Sequence, residues 1–175
     1  LNSGLKLTDA SQVSVSIPDG DSRSTFSTVK DLASRGVSFD GGTITLEQTD
    51  LKGSYTVLQS QLLDAAKSNI VFDTDSVSSW SLGKASDGTS LGNPKIDASD
   101  VTYLVNAGIA FNNATVNVKT VADVQSIVDN AFEILSSGVK KFNFSTGTSI
   151  STSDARTILD AKALTIEQGV SSTAT

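Results

Sequence analysis

Along this chain the apolar residues switch repeatedly between a spacing of three or four and a spacing of two, and a glycine or asparagine marks most of the changes. The first spacing keeps one face of a helix apolar and the second keeps one face of a strand apolar. Val13, Val15 and Ile17 alternate with serine, as in a half-buried strand, until Pro18-Asp19-Gly20-Asp21 breaks the run. Phe26, Val29, Lys30, Leu32 and Ala33 then fall at helical spacing behind Ser24 or Thr25, either of which can cap the first turn. Gly36 ends that helix, because glycine accepts the left-handed conformation that closes a C-terminus. Val37-Ser38-Phe39 and Thr43-Ile44-Thr45-Leu46 follow as two short strands about a sharp Asp40-Gly41-Gly42 turn.

The same sequence of events recurs downstream. A helix from about Ser54 to Lys67 carries Val57, Leu58, Leu62, Ala65 and Ala66 on one face, Asn69 stops it, and Ile70-Val71-Phe72-Asp73-Thr74-Asp75 reads as the next strand and turn. Asp97 or Ser99 caps a helix with Val101, Leu104 and Val105, stopped at Gly108 and followed by strand residues from Ile109 to Val118. Thr120 opens what reads as the longest helix, Val121 to Ser137, ended by Gly138. Val139 to Phe144 is a strand, with Thr148-Ser149-Ile150 behind it. A last helix starts at Ser151 or Thr152, with Asp154 in its first turn and Ala155, Ile158 and Leu159 facing inward. Ala163 to Ile166 reads as a sixth strand, and Ser171 to Thr175 as a frayed tail.

The stops at Gly4, Gly36, Asn69, Gly108 and Gly138 lie 32, 33, 39 and 30 residues apart, in the range of repeat arrays. A phenylalanine followed by Asp or Asn recurs at Phe39-Asp40, Phe72-Asp73, Phe111-Asn112 and Phe142-Asn143. The pattern predicts an α/β chain of helix–strand(–turn–strand) units stacked like a solenoid, each burying its neighbour's apolar face. The expected extent is residues 1–175 as one domain of four to six repeats of about 32 residues. The wide interval contains residues 78–95, rich in Ser, Gly and Asp, which read as a loop inserted into one unit. The alternative architecture is an α+β globule with hairpins in one sheet and helices packed on it.

Composition narrows what such a chain can do. It has no Cys and no His, which removes disulfides, thiolate or imidazole metal ligands and histidine-based triads. It also has no Met, so it is expected to be a mature chain or an excised fragment. The net charge of −6 is a poor match for nucleic acid or an anionic membrane, and no apolar run is long enough to span a bilayer. Serine and threonine make up about a quarter of the residues. Together with acidity and the missing cysteine, this points to secretion or the bacterial cell surface.

Asn106-Ala107-Gly108-Ile109-Ala110-Phe111 and Asp40-Gly41-Gly42-Thr43-Ile44-Thr45-Leu46 resemble the degenerate helix–strand repeats of large bacterial surface proteins exported by type I secretion, adhesin- or S-layer-like. In those repeats an apolar helix leads into A-G-V-x-F, a small polar turn and x-V-T-L. The glycine- and aspartate-rich calcium nonapeptide of many such proteins is absent, since Gly41-Gly42 is not followed by Gly-x-Asp. The resemblance implies a scaffold, adhesin or surface-layer role, with self-association or other surface components as partners.

Candidate chemistry is sparse. Asp19 with Asp21, and Asp73 with Asp75, are Asp-x-Asp pairs that could offer two oxygens each to calcium, though neither continues into an EF-hand loop. Trp80, the only tryptophan, could stack on a sugar with Lys84 and Asp87 beside it, or could anchor its loop by giving its indole N–H to a carbonyl. Asn113-Ala114-Thr115 and Asn143-Phe144-Ser145 match glycosylation sequons, as chance alone allows in so Ser/Thr-rich a chain. No phosphate loop or nucleotide fingerprint is present. The expected function is a structural or adhesive module of a secreted surface protein, not an enzyme, needing no cofactor beyond optional calcium. A carbohydrate- or calcium-dependent binding module using the Trp80 loop is the alternative, and a carbohydrate-active enzyme a distant third. Glycans are the one further partner class; nucleic acid and membrane insertion are not expected.

Overall fold

The computed structural model describes residues 14–15, 26–85 and 87–167. The chain is mixed helix and strand with small parallel sheets, and it divides into two compact units, Leu1–Ser78 and Ser79–Thr175. An α+β description, helices packed on small sheets, is equally compatible with this content.

The first unit runs β1 (Ser14–Val15), α1 (Phe26–Ser34), β2 (Ser38–Phe39), β3 (Thr43–Thr45), α2 (Tyr55–Lys67) and β4 (Val71–Asp73), then a 3₁₀ turn at Asp75–Val77. In α1 the buried residues Phe26, Val29 and Ala33 share one face, and the Phe26 ring meets Phe72 edge-on at 5.7 Å between centroids. Helices α1 and α2 end alike. The residue after the stop donates its N–H five residues back, Val37 to Leu32 O and Ile70 to Ala65 O, and the stop itself has positive φ, 82° at Gly36 and 74° at Asn69. The sharp turn expected at Asp40–Gly42 does not make a hairpin. β2 pairs in parallel with β1, and β3 pairs in parallel with β4, so the chain steps from one sheet to the next across that turn.

The second unit holds β5 (Lys95–Asp97), α3 (Ala98–Asn106), β6 (Ala114–Val118), α4 (Val121–Asp129), α5 (Ala131–Ser136), β7 (Val139–Phe144) and α6 (Thr152–Glu167). Its sheet has the order β5-β6-β7 and is parallel throughout. Ile96, Val116 and Val118 point into the core and are at most 1% exposed. A bulge at Lys140 sets Ala114 opposite Val139 but Thr115 opposite Lys141, which brings Phe142 level with Val116. α6 lies on a cluster formed by Ala131, Leu135 and Ala161, with Phe132, Phe142 and Ile158 at its rim.

Several expected elements differ. The long helix from Val121 is broken at Asn130, whose φ of −121° is not helical and whose side-chain amide donates to Ser126 O. Val121 is 80% exposed because it precedes the buried stripe of Val124 and Ile127. The expected strand at Ala163 to Ile166 is part of α6: Ile158, Ala161 and Thr165 continue a helical stripe, and no stop residue intervenes. Leu159 in that helix and Val57 in α2 turn outward, 62% and 56% exposed. Thr148 to Ile150 forms no strand; instead the Thr148 hydroxyl donates to Lys119 O. Gly4, Ser24, Thr25 and the tail beyond Glu167 lie outside the described residues.

Candidate functional site

The segment expected to be an inserted loop is built into the sheet architecture. Leu82, fully buried, bridges in parallel to Phe111: its N–H donates to Ala110 O at 2.8 Å, and its carbonyl accepts from Asn112 N–H at 2.8 Å. It therefore stands opposite a phenylalanine, as Ile44 stands opposite Phe72 and Val116 opposite Phe142, and an enlarged turn separates it from β5. Lys84 and Ser90 form an antiparallel bridge across that turn, and Leu91 N–H donates to Gly83 O at 2.7 Å.

Two side chains lock the turn from within. Trp80 is 7% exposed and gives its indole N–H to Lys84 O at 3.1 Å, the anchoring arrangement. Asn112 is 8% exposed, and its amide nitrogen lies 3.3 Å from Gly83 O, 3.0 Å from Ser90 Oγ and 3.3 Å from Gly92 O. A buried amide without these acceptors would cost about 1–3 kcal/mol, so Asn112 ties the turn to the segment at Phe111. Of the candidate ligand residues, Trp80 faces inward, while Asp87 stands at the exposed tip. Its carboxylate accepts Thr89 N–H at 2.9 Å, and that bond, aided by the Thr89 hydroxyl, holds its pKa below the usual aspartate value. Lys84 contributes its backbone to the turn.

Of the two aspartate pairs, Asp73 and Asp75 lie among the described residues. Asp73 Oδ1 accepts Asp75 N–H at 3.0 Å within the local turn, and Asp73 Oδ2 accepts from the Thr45 hydroxyl of the paired strand β3 at 3.4 Å. Asp19 and Asp21 lie outside the described residues. Among the described residues no three carboxylates gather to hold a metal ion, and no helix is long and apolar enough to cross a membrane.

A second surface was not singled out from the sequence. The open face of β5-β6-β7 carries two polar rows in register, Lys95–Thr115–Lys141 and Asp97–Asn117–Asn143. Asn143 donates from its amide to Asn117 Oδ1 at 3.2 Å, and Lys119 holds Asp97 at 2.7 Å. That hydrogen bond to Asp97, with the nearby charges of Asp97, Asp123 and Asp100, raises the Lys119 pKa. The alternation of polar and apolar residues in the strands was the available signal; which strands lie side by side was not.

Comparison with protein-family models, with curated proteins and with solved structures gives no match for this chain.

Proposed function

We propose that the chain is a structural or adhesive module of a secreted bacterial cell-surface protein, without catalysis. In this reading each compact unit is a short run of helix–strand coils stacked as in a solenoid, each coil handing its sheet edge to the next. The observation that carries it is a repeated joint. Phe39 N–H donates to Ser68 O at 3.0 Å, and Phe111 N–H donates to Ser137 O at 2.7 Å. In both cases the acceptor is the serine just before the next stop residue, and in both the following strand pairs in parallel. Conserving backbone geometry rather than a cluster of reactive side chains is what a scaffold requires.

Fractionation of the native host tests this. Antibody against the chain should label intact cells or the culture supernatant, and external protease should remove the cell-bound signal. An antigen that stays in the cytosol and is protected from protease sinks the surface assignment.

A further inference from the structure

We propose that the open edge of β7 is taken by the segment Gly169–Thr175, laid alongside it as a fourth parallel strand. Among the described residues β7 is the outermost and longest strand of its sheet, six residues from Val139 to Phe144, and no strand pairs with its far side. Ser145 N–H donates to Val118 O at 2.9 Å, so by the two-residue period of a strand Lys141 and Asn143 also turn their backbone groups toward β6. Lys140, Phe142 and Phe144 therefore point theirs at the open edge. The bulge and the two lysines guard the start of that edge, but not the stretch from Phe142 to Phe144. Both of these rings are only half-buried, whereas Phe39, Phe72 and Phe111 are buried.

The sequence after α6 fits that edge. Helices α1, α2, α3 and α5 end at Ser34, Lys67, Asn106 and Ser136. In each case one residue follows, then the stop Gly36, Asn69, Gly108 or Gly138, then a buried valine or isoleucine. α6 ends at Glu167 and is followed in the sequence by Gln168, Gly169 and Val170, in the same frame and with Gly169 31 residues past Gly138. The placement of α6 fits as well. β5-α3-β6 and β6-α4-α5-β7 are successive crossovers, each adding one parallel strand on the same side, and α6 packs on Ala131 and Leu135 of α5 as the helix of a third. A crossover of the same hand delivers its strand beside β7. In that pairing the joint is the one that Phe39 makes to Ser68 O and Phe111 to Ser137 O, with Phe142 N–H given to the carbonyl of Gln168. The acceptor is a backbone oxygen, so glutamine serves as well as serine. The segment carries Ser172 where Phe39, Phe72 and Phe111 stand after their stops. Its hold on the edge therefore rests on backbone bonds and on Val170, the counterpart of Val37, Ile70, Ile109 and Val139.

The proposal adds a coil to the stacking described above and rests on that reading for its geometry, though not for a place at the cell surface. Fractionation tests location and amide exchange tests the edge, so the two fail separately. The experiment is hydrogen exchange of the intact chain, followed by NMR at two protein concentrations. The amides of Phe142 and Phe144 should exchange within about tenfold of that of Asn143, which faces β6, at both concentrations. Val170→Asp should speed Phe142 and Phe144 by about tenfold or more relative to Asn143. Val121→Asp, the same change at an exposed valine in α4, should leave the three in their native ratio. Thermal melts check that each variant folds, and Val170→Ala replaces the aspartate variant if that one does not. Rapid exchange of Phe142 and Phe144 in the unaltered chain, or equal behaviour of Val170→Asp and Val121→Asp, would overturn the proposal. Protection that disappears on dilution would overturn it too, and would assign the edge to a second copy.

Discussion

The joint at Phe39 and the joint at Phe111 make the same backbone bond with different side chains around it. At the first, the stop is Asn69, which holds φ at 74° and returns its amide to Phe39 O at 3.2 Å. At the second, the stop is Gly138, with φ at 105°, and a Cβ there would run into the Phe111 carbonyl oxygen. The residue after the phenylalanine differs as well. Asp40 is exposed, whereas Asn112 is buried and grips the enlarged turn before it. One backbone joint therefore tolerates a side chain that can bond the facing carbonyl, or none at all, according to how closely the two strands approach. In the second copy the polar residue holds the enlarged turn.

The hardest test of that contrast is Gly138→Ala. Adding a Cβ against Phe111 O at positive φ should cost about 3 kcal/mol or more, or prevent folding of the second unit, as read by denaturant melts. Gly138→Asn should fare no better, which would show that the asparagine solution does not transfer. The reciprocal change, Asn69→Gly, should cost no more than about 1 kcal/mol, since the lost hydrogen bond is offset by relief of the left-handed backbone. A loss as large as that of Gly138→Ala would mean the two joints are not equivalent.

Asn112→Ala comes next, at about 2 kcal/mol, because it removes the buried amide that faces Gly83 O, Ser90 Oγ and Gly92 O. The emission of Trp80, 7% exposed in the native turn, should shift to longer wavelength in that variant. Asp40→Ala should move stability by less than about 0.5 kcal/mol, as at an ordinary surface site. Thr120→Ala should cost about 1 kcal/mol by removing the capping box in which Thr120 Oγ1 accepts Asp123 N–H at 3.1 Å and Asp123 accepts Thr120 N–H at 2.9 Å.

The smallest effects are those of pH, and they too lie in the second unit. Lys119 is raised above its ordinary 10.5 by its bond to Asp97, so its contribution is complete below that value and is lost as pH climbs through the raised one. Asp87 is lowered below 3.8 by the Thr89 N–H, so its contribution holds above 3.8 and is lost as pH falls through the lowered value. Both groups are exposed, so shallow slopes at the two ends of the stability–pH curve are expected. Those slopes should vanish in Lys119→Met and Asp87→Asn respectively.

Much of the local structure was legible. Gly36, Asn69, Gly108 and Gly138 all have positive φ, and the helices before the first three close with the same five-residue return. Thr120 caps α4, and the anchor role weighed for Trp80 matches its bond to Lys84 O. The errors cluster where a local pattern fits two structures. Ala163 to Ile166 suits a short strand as well as a helix, and packing of Ala161 and Thr165 decides for the helix. Asp40-Gly41-Gly42 has the residues of a hairpin turn, yet β3 bonds β4 from 28 residues further on.

What the sequence determined by itself were the stops, caps and faces, because these depend on backbone sterics and on hydrogen bonds within a few residues. Only the tertiary structure decided which strand lies beside which, and with that the Leu82–Phe111 bridge, the grip of Asn112 and the polar rows on the sheet. Parallel pairing joins residues some 20 to 30 positions apart in these sheets. No local propensity encodes such a partner; shape and burial across the whole unit select it.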